Sequence, residues 1–410
     1  MNKREVFGTV ILFTLIYILS FVDRQIVAVL GVQIRDSLLL SNFQIGLLYG
    51  PAFSFMYALA GIPMGRLADK ISRKLMICTG LFIWSFMTVI SGFAASFTFL
   101  ITARIFVGLS QAMLSPAVYS YMADRFSEEK RGLIFSIYAS GIFIGVGLSF
   151  LAGGAISMQY DWRWAMIAVG LPGLILAPVV FWYVNEPDRV KPKNIFENSA
   201  IAEIMAMLKK PSIRWHLIGF SSLACIGYTL LAFAGNVFND VFQSPHYISQ
   251  YGWFMFGVAG TVILSGKTAD LLAKKNPSRR FWMGIIAAVG GVPFYMFGLF
   301  TSNPQTAFLC MGIGVMISSS YNGVAAALLQ YFVKPTQRAL AGGLYLFVIS
   351  IAGFGLGPPF AGWLTDSVFS GTYAVSYALI SIILVCAFIA VFAFLRAMKW
   401  YQSDVVTETQ

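Results

Sequence analysis

The amino-acid sequence predicts an all-α polytopic membrane protein whose twelve transmembrane helices form two six-helix bundles. Three observations predict it. Of 410 residues, 58% are hydrophobic and 11% charged, too few charges to cover a soluble domain of that size. Apolar runs of about 20 residues, the length that crosses roughly 30 Å of hydrocarbon, recur along the whole chain. Finally, Gly65-Arg66-Leu67-Ala68-Asp69 returns as Gly266-Lys267-Thr268-Ala269-Asp270, 201 residues later, each copy lying between two apolar runs.

The apolar runs read as spans over residues 7–31, 42–63, 75–95, 98–122, 132–157, 164–184, 214–239, 248–266, 281–300, 305–332, 339–364 and 373–398. The first is too long for a signal peptide and no small-residue cleavage site follows it, so it is expected to be retained. Most connections are short. The exception, residues 185–213, is polar and carries Pro187, Pro192 and Pro211. It separates an N-terminal bundle (1–184) from a C-terminal one (214–410). Within it, Asn198 and Ser199 suit a helix cap, and Ile201, Ile204, Met205 and Leu208 share one stripe ahead of Lys209 and Lys210. That pattern predicts a short amphipathic helix on the cytoplasmic surface, tethering the two bundles.

The repeat reaches beyond the loop. Gly145, Gly147, Leu148 and Gly154 recur as Gly353, Gly355, Leu356 and Gly362, at an offset of 208, and Arg131 recurs as Arg338 at 207. Each half has an even number of spans, so the copies share one orientation about an axis along the membrane normal.

The net charge of +11 follows the membrane and is no nucleic-acid signal. Of 28 Lys and Arg, 24 lie in the termini and every second loop; that bias places both termini in the cytoplasm, where the basic residues meet anionic lipid headgroups. Arg35 and Arg163 fall in the other loops. Cys78, Cys225, Cys310 and Cys386 occupy separate spans without ligand-like spacing, so they read as packing residues. No Asn-x-Ser/Thr acceptor with a permitted middle residue occurs, which suits a bacterial inner membrane.

Charges inside a bilayer are costly and face a cavity or a partner. Only Asp23, Arg24 and Arg104 lie well inside spans, while His216, Asp240, Lys267 and Asp366 lie near span ends. At about 1.5 Å per residue, Asp23 and Arg104 fall at similar depth and can pair. Arg24 is turned about 100° from Asp23 on the same helix. Two readings follow: a buried Asp23–Arg104 pair that only locks two helices, or a cavity of net charge +1 that attracts an anionic headgroup. In the second, Arg24 is the preferred ligand because arginine forms bidentate contacts with phosphate or carboxylate, and Asp23 is the one plausible proton carrier. Other binding candidates are Arg104, Gln111 and Tyr119 in the first half and Tyr228, Asn236, Tyr321 and Asn322 in the second, which carries no mid-membrane charge. No nucleophile–base set, phosphate-binding glycine loop or metal-ligand cluster is present, so neither an enzyme nor a cofactor is expected.

The stretch Gly65 to Lys74 resembles the signature loop of the major facilitator superfamily, with Ser72 in place of the usual second glycine. The resemblance implies a cytoplasmic gate built on Gly65, Asp69 and Arg73, and on Gly266 and Asp270 in the second copy. Arg104 and Gly108 resemble the Arg-x-x-x-Gly motif of the fourth helix. Phe21-Val22-Asp23-Arg24-Gln25, Gln44 to Leu48, Gly61-Ile62-Pro63, Asp161 to Ala165 and Val169 to Gly173 are similar to the bacterial spinster-like branch. That branch is linked to lysolipids and sphingoid phosphates, so the resemblance implies an amphipathic substrate. One residue departs from it: Gly108-Leu109-Ser110-Gln111-Ala112 has Gln111 where the branch carries a Glu implicated in proton coupling, and an amide carries no proton.

The leading expectation is therefore an alternating-access transporter of an anionic or zwitterionic amphiphile, working as a monomer with a small-molecule or lipid substrate. A proton-coupled symporter of a small organic anion and a ligand sensor without net transport are the alternatives.

Overall fold

The computed structural model describes residues 3–68, 71–126, 128–186, 200–274, 276–334 and 337–405. Among them are twelve helical stretches long and apolar enough to cross a membrane: Phe7–Val29, Asn42–Gly61, Arg73–Ser91, Phe97–Arg125, Ile134–Gln159, Trp162–Tyr183, Pro211–Val241, His246–Ala273, Pro277–Phe300, Pro304–Phe332, Leu340–Ser367 and Ala374–Asp404. They are called the first to twelfth spans below. The helix starts are written locally. Ser41 and Gln44 form a capping box on the second span, and Ser72, Ser96 and Asn303 cap the third, fourth and tenth through side-chain oxygens. Each satisfies main-chain N–H groups that the first helical turn leaves unpaired.

Several spans are interrupted. A π-helical turn interrupts the fifth at Ser149–Gly153, the seventh at Val237–Val241 and the eleventh at Ser350–Gly355, and a 3₁₀ turn interrupts the tenth at Ser320–Gly323. Extra residues in a turn bend a helix. Two of the bulges fall on the repeated glycine series, where the two sets of six spans touch. A side chain at Gly147 or Gly154 of the fifth span would collide with Phe256 or Ser249 of the eighth; one at Gly362 of the eleventh would collide with the backbone of Asn42 at the start of the second. The internal repeat thus builds two equivalent crossings, fifth on eighth and eleventh on second.

The first span begins and the twelfth ends at the same end of the bundle, because twelve spans alternate in direction; it is called the terminal end here. Asp404, closing the twelfth span, accepts from the main-chain N–H of Ser212 at 2.8 Å, and Lys210 donates to the carbonyls of Phe332 and Asp404. A short helix, Ala200–Lys209, precedes the seventh span. Its buried face is centred on Met207, with Ile204 and Leu208 half-buried, whereas Met205 is 58% exposed. The buried face is thus turned by roughly 60° from the stripe expected, keeping Ile204 and Leu208 and exchanging Met205 for Met207, because the neighbours are the seventh and eleventh spans. The caps Asn198 and Ser199 lie outside the described residues.

Glu186, just past the sixth span, ties down the start of the third. Its carboxylate accepts from the Ser72 hydroxyl at 2.6 Å and from the N–H groups of Arg73 and Lys74 at 3.0 and 2.9 Å. Burial alone would raise this carboxyl, but those donors outweigh it and hold it below its usual 4.5. A lowered carboxyl contributes stability above pH 4.5 that is lost as pH falls through the folded value. Glu186→Gln is therefore expected to lower the melting temperature at pH 7, and the gap to the parent should close in melts at progressively lower pH below 4.5.

Candidate substrate site and gates

The charged residues of the first half meet as one buried network. The Asp23 carboxylate accepts from Thr88 Oγ1 at 2.7 Å, Gln111 Nε2 at 3.1 Å and Arg104 Nη1 at 3.5 Å. Arg104 also donates to the main-chain carbonyls of Asp23 and Arg24, both at 3.3 Å. Its guanidinium therefore holds the first span to the fourth twice, through backbone as well as side chain. Gly108, one turn along, lets the fourth span press on the backbone of Phe53. The expected Asp23–Arg104 pair is present, and Arg104 is occupied by it.

Arg24 is differently placed. Its guanidinium lies 4.5 Å from the ring of Phe21 and 4.6 Å from those of Phe53 and Tyr57, a cation held by three aromatic faces. Nη2 donates to Gln111 Oε1 at 3.4 Å, and Nε is buried without a partner. Gln111 thus bridges the site, its NH₂ to Asp23 and its carbonyl to Arg24. An amide can do both at once, whereas an ionised carboxylate has no donor to offer Asp23. Gln111 suits an ionised Asp23 in a way that a second carboxylate would not.

The opposite wall is aromatic. Tyr228 of the seventh span stacks on Phe354 of the eleventh at 4.5 Å, and Phe354 meets Tyr49 at 4.7 Å and Phe53 at 5.7 Å across the divide. Arg24 lies within electrostatic reach of Tyr228. Tyr119 borders Phe135 and Tyr138 edge-on. Tyr321 is buried beside Phe220 at 5.7 Å. Asn322 is exposed, its amide donating to the Ser319 carbonyl at 2.8 Å. Asn236 is elsewhere: it is buried, with its amide on Asn42 Oδ1 at 2.9 Å, so it belongs to a gate rather than to the Arg24 site.

That gate joins the halves at the end remote from the termini. Arg35 Nη1 and Nη2 reach both oxygens of Asp240, at 2.6 and 2.9 Å, and Nη1 also donates to Asn42 Oδ1 at 3.2 Å. Asp366 accepts from the Asn42 amide at 2.7 Å and the Phe43 N–H at 2.8 Å. The sequence held a signal for this set, since Arg35 breaks the charge bias of its loop and Asp240 and Asp366 sit near span ends; what it lacked was their pairing. Thr88, Phe53 and Tyr57 carried no distinguishing signal.

At the terminal end the described residues of the two halves are apart. Side chains at Gly61, Gly65, Gly342 or Gly343 would meet nothing within 4 Å, and one at Gly266 only the Gly323 carbonyl of its own half at 3.9 Å. Arg73 pairs with Asp124 at 2.6 Å and Asp270 with Arg280 at 3.4 Å, each within its own half. Asp69, the acidic residue of the first loop, lies outside the described residues.

The family description Major Facilitator Superfamily matches residues 13–355. The chain is 25% identical to an MFS-type efflux pump of Mycolicibacterium smegmatis, over 100% of this chain and 96% of that one. It is 26% identical to protein spinster homolog 1 of Xenopus tropicalis, over 93% and 78%. Two further relatives are named by cargo, both at 24% identity: a sphingosine-1-phosphate transporter of Xenopus tropicalis, over 87% and 73%, and a probable L-galactonate transporter of Escherichia coli, over 86% and 82%. Among solved structures, a bacterial homolog of the human lysosomal transporter spinster, inward-facing and unoccupied, superposes with a TM-score of 0.88 over 100% of both chains at 24% identity. Twelve membrane-length spans, two crossings written by one repeat and a family match over most of the chain agree: this protein is an integral membrane transporter of the major facilitator superfamily.

Proposed function

We propose that the protein carries an anionic or zwitterionic single-chain amphiphile, of the lysolipid or sphingoid-phosphate kind, by alternating access, with Arg24 as the headgroup ligand. The observation that carries this reading is the contrast between the two arginines. Arg104 spends both terminal nitrogens on Asp23 and two main-chain carbonyls, whereas the terminal nitrogens of Arg24 make one long bond, to Gln111 at 3.4 Å, inside an aromatic box. A guanidinium edge is a bidentate seat for phosphate or carboxylate, and Tyr228 and Phe354 offer apolar surface opposite. The sphingosine-1-phosphate transporter among the relatives agrees with that class of cargo.

The basic bias of the terminal-end loops orients both termini to the cytoplasm, so the state described is open inward and closed outward by Arg35 and Asp240. The bacterial relative supports a plasma-membrane location. Turning outward requires the Arg35–Asp240 gate to part and the loops at Gly65 to Arg73 and Gly266 to Asp270 to close as a latch. The amphipathic helix before the seventh span tethers the halves through that motion, and one monomer suffices for the cycle.

A thermal-shift series tests the cargo class. Lysophospholipids and sphingoid phosphates are expected to raise the melting temperature, and sugar acids or aromatic acids to leave it unmoved. The reverse ranking favours the second reading, proton-coupled uptake of a small organic anion, which the L-galactonate relative supports. A protein that binds but shows no counterflow in proteoliposomes is a sensor.

Asp23 is the remaining candidate for proton coupling, since Gln111 cannot titrate. Asp23→Asn is expected to abolish uptake driven by a pH gradient while sparing counterflow, which needs no net proton movement. Undiminished pH-driven uptake in this variant removes Asp23 from the mechanism.

A further inference from the structure

Asn42 opens the second span, and its side chain bonds to both halves at once. Oδ1 accepts from Arg35 Nη1 at 3.2 Å and from Asn236 Nδ2 at 2.9 Å, while Nδ2 donates to Asp366 at 2.7 Å. Both oxygen lone pairs and one amide hydrogen are therefore in use. The orientation of the amide is forced, because a guanidinium only donates and an ionised carboxylate only accepts. The backbone fixes the place. Gly362, one turn before Asp366, leaves no room for a side chain against the Asn42 carbonyl, and Asp366 also accepts from the Phe43 N–H at 2.8 Å.

That orientation leaves one neighbour stranded. Asn236 turns its amide hydrogens to Asn42, and its own carbonyl oxygen is then buried without a partner. Flipping Asn236 would set two carbonyl oxygens face to face. Asp240 lies four residues further along, within the π-helical turn Val237–Val241, and takes both terminal nitrogens of Arg35. One guanidinium thus meets Asp240 and Asn42 together, and a single amide links the ion pair to the Asp366 contact.

We propose that Asn42 is the positioning residue of this gate: its amide couples the Arg35–Asp240 ion pair to the Asp366 contact. The far end then closes only when one side chain offers an acceptor to Arg35 and a donor to Asp366. The inference rests on the alternating-access reading and is independent of the cargo. An ionised carboxylate at this position still accepts from Arg35 but has no hydrogen for Asp366. Two carboxylates so close repel unless they share a proton. Asn42→Asp therefore converts the gate into one set by pH. The charged groups facing position 42 are Arg35 from its own half and Asp366 from the eleventh span; Asp36 and Asp240 act on it through Arg35.

The test measures the distance between spin labels at Tyr160 and Gln305 in the full-length protein, with Cys78, Cys225, Cys310 and Cys386 replaced by alanine. It is run in vesicles without ligand, from acid to mildly alkaline pH. The parent is expected to keep one short distance throughout. Asn42→Asp should match it at the acid end and gain a longer population as pH rises, the open-to-closed ratio growing by up to about tenfold per pH unit. Exchanging the pair, Asn42→Asp with Asp366→Asn, again sets a donor against an acceptor and should return the short distance at every pH. A residue acting through packing alone gives no such rescue. A distance in Asn42→Asp equal to the parental one at every pH overturns the proposal, and so does an exchange variant that stays open. Should Asn42→Asp fail to fold, Asn42→Ala removes both contacts and is expected to show the longer population at every pH; a closed Asn42→Ala overturns the proposal as well. Arg35→Ala, run alongside, separates the two readings. If it also leaves the far end shut, the gate reading itself fails; if it opens that end while the Asn42 variants do not, only the role of Asn42 fails.

Discussion

Arg24→Ala is expected to reduce the affinity for an anionic amphiphile by roughly 100- to 1000-fold while leaving the protein folded. Two charge-assisted hydrogen bonds from one guanidinium edge contribute about 1.5–3 kcal/mol each, and a loss of about 3–4 kcal/mol corresponds to that range. Folding survives because Arg24 is half-buried and makes a single long side-chain bond, to Gln111 at 3.4 Å. Arg104→Ala should behave in the opposite way. It strips Asp23 of its ion pair and frees two main-chain carbonyls, and an uncompensated buried charge costs about 3–5 kcal/mol. Arg104→Ala is therefore a stability variant and Arg24→Ala a binding variant; melting temperature and titration on the same two samples separate them.

Arg35→Ala is expected to shift the conformational equilibrium toward the state open at the far end. The bidentate contact with Asp240 is the ion pair that joins the halves there among the described residues, with 16% and 29% of the two side chains exposed. The hydrogen bond to Asp240 raises the Arg35 guanidinium above its ordinary value and outweighs the burial that would lower it. Partial exposure discounts the full penalty of a broken buried pair, leaving about 2 kcal/mol, roughly a 30-fold change in the ratio of the two states. Spin labels at Tyr160 and Gln305, at the far ends of the two halves, should report a longer distance population that the parent lacks. Unchanged distances mean that the glycine crossings, fifth on eighth and eleventh on second, hold that end shut without the ion pair.

The spans were legible because length and hydropathy alone determine them, and the glycine repeat because it recurs at one offset, although the helices that it packs against were not. The Asp23–Arg104 pair followed from depth along two helices. Arg24's aromatic box did not, since Phe53 and Tyr57 look like any of the chain's 37 Phe and 18 Tyr until the second span is set beside the first. Asn236 illustrates a different loss. It read as a cavity residue by polarity, yet it lies 25 residues past Pro211, roughly 38 Å along its helix, which already places it near the far end beside Asn42. The π-bulges at Ser149–Gly153 and Ser350–Gly355 were invisible because a glycine-rich helix carries the same composition with or without the extra residue. Met207 took the place of Met205 on the short helix because tertiary neighbours, rather than the stripe alone, decided which face is buried.

Counterflow in proteoliposomes, run side by side for the parent and Arg24→Ala with an anionic single-chain amphiphile, tests the central claim most directly. The parent should exchange the labelled amphiphile at a rate well above protein-free vesicles, and Arg24→Ala should fall to the vesicle background. Exchange by Arg24→Ala at the parental rate would contradict the assignment of the headgroup to this arginine.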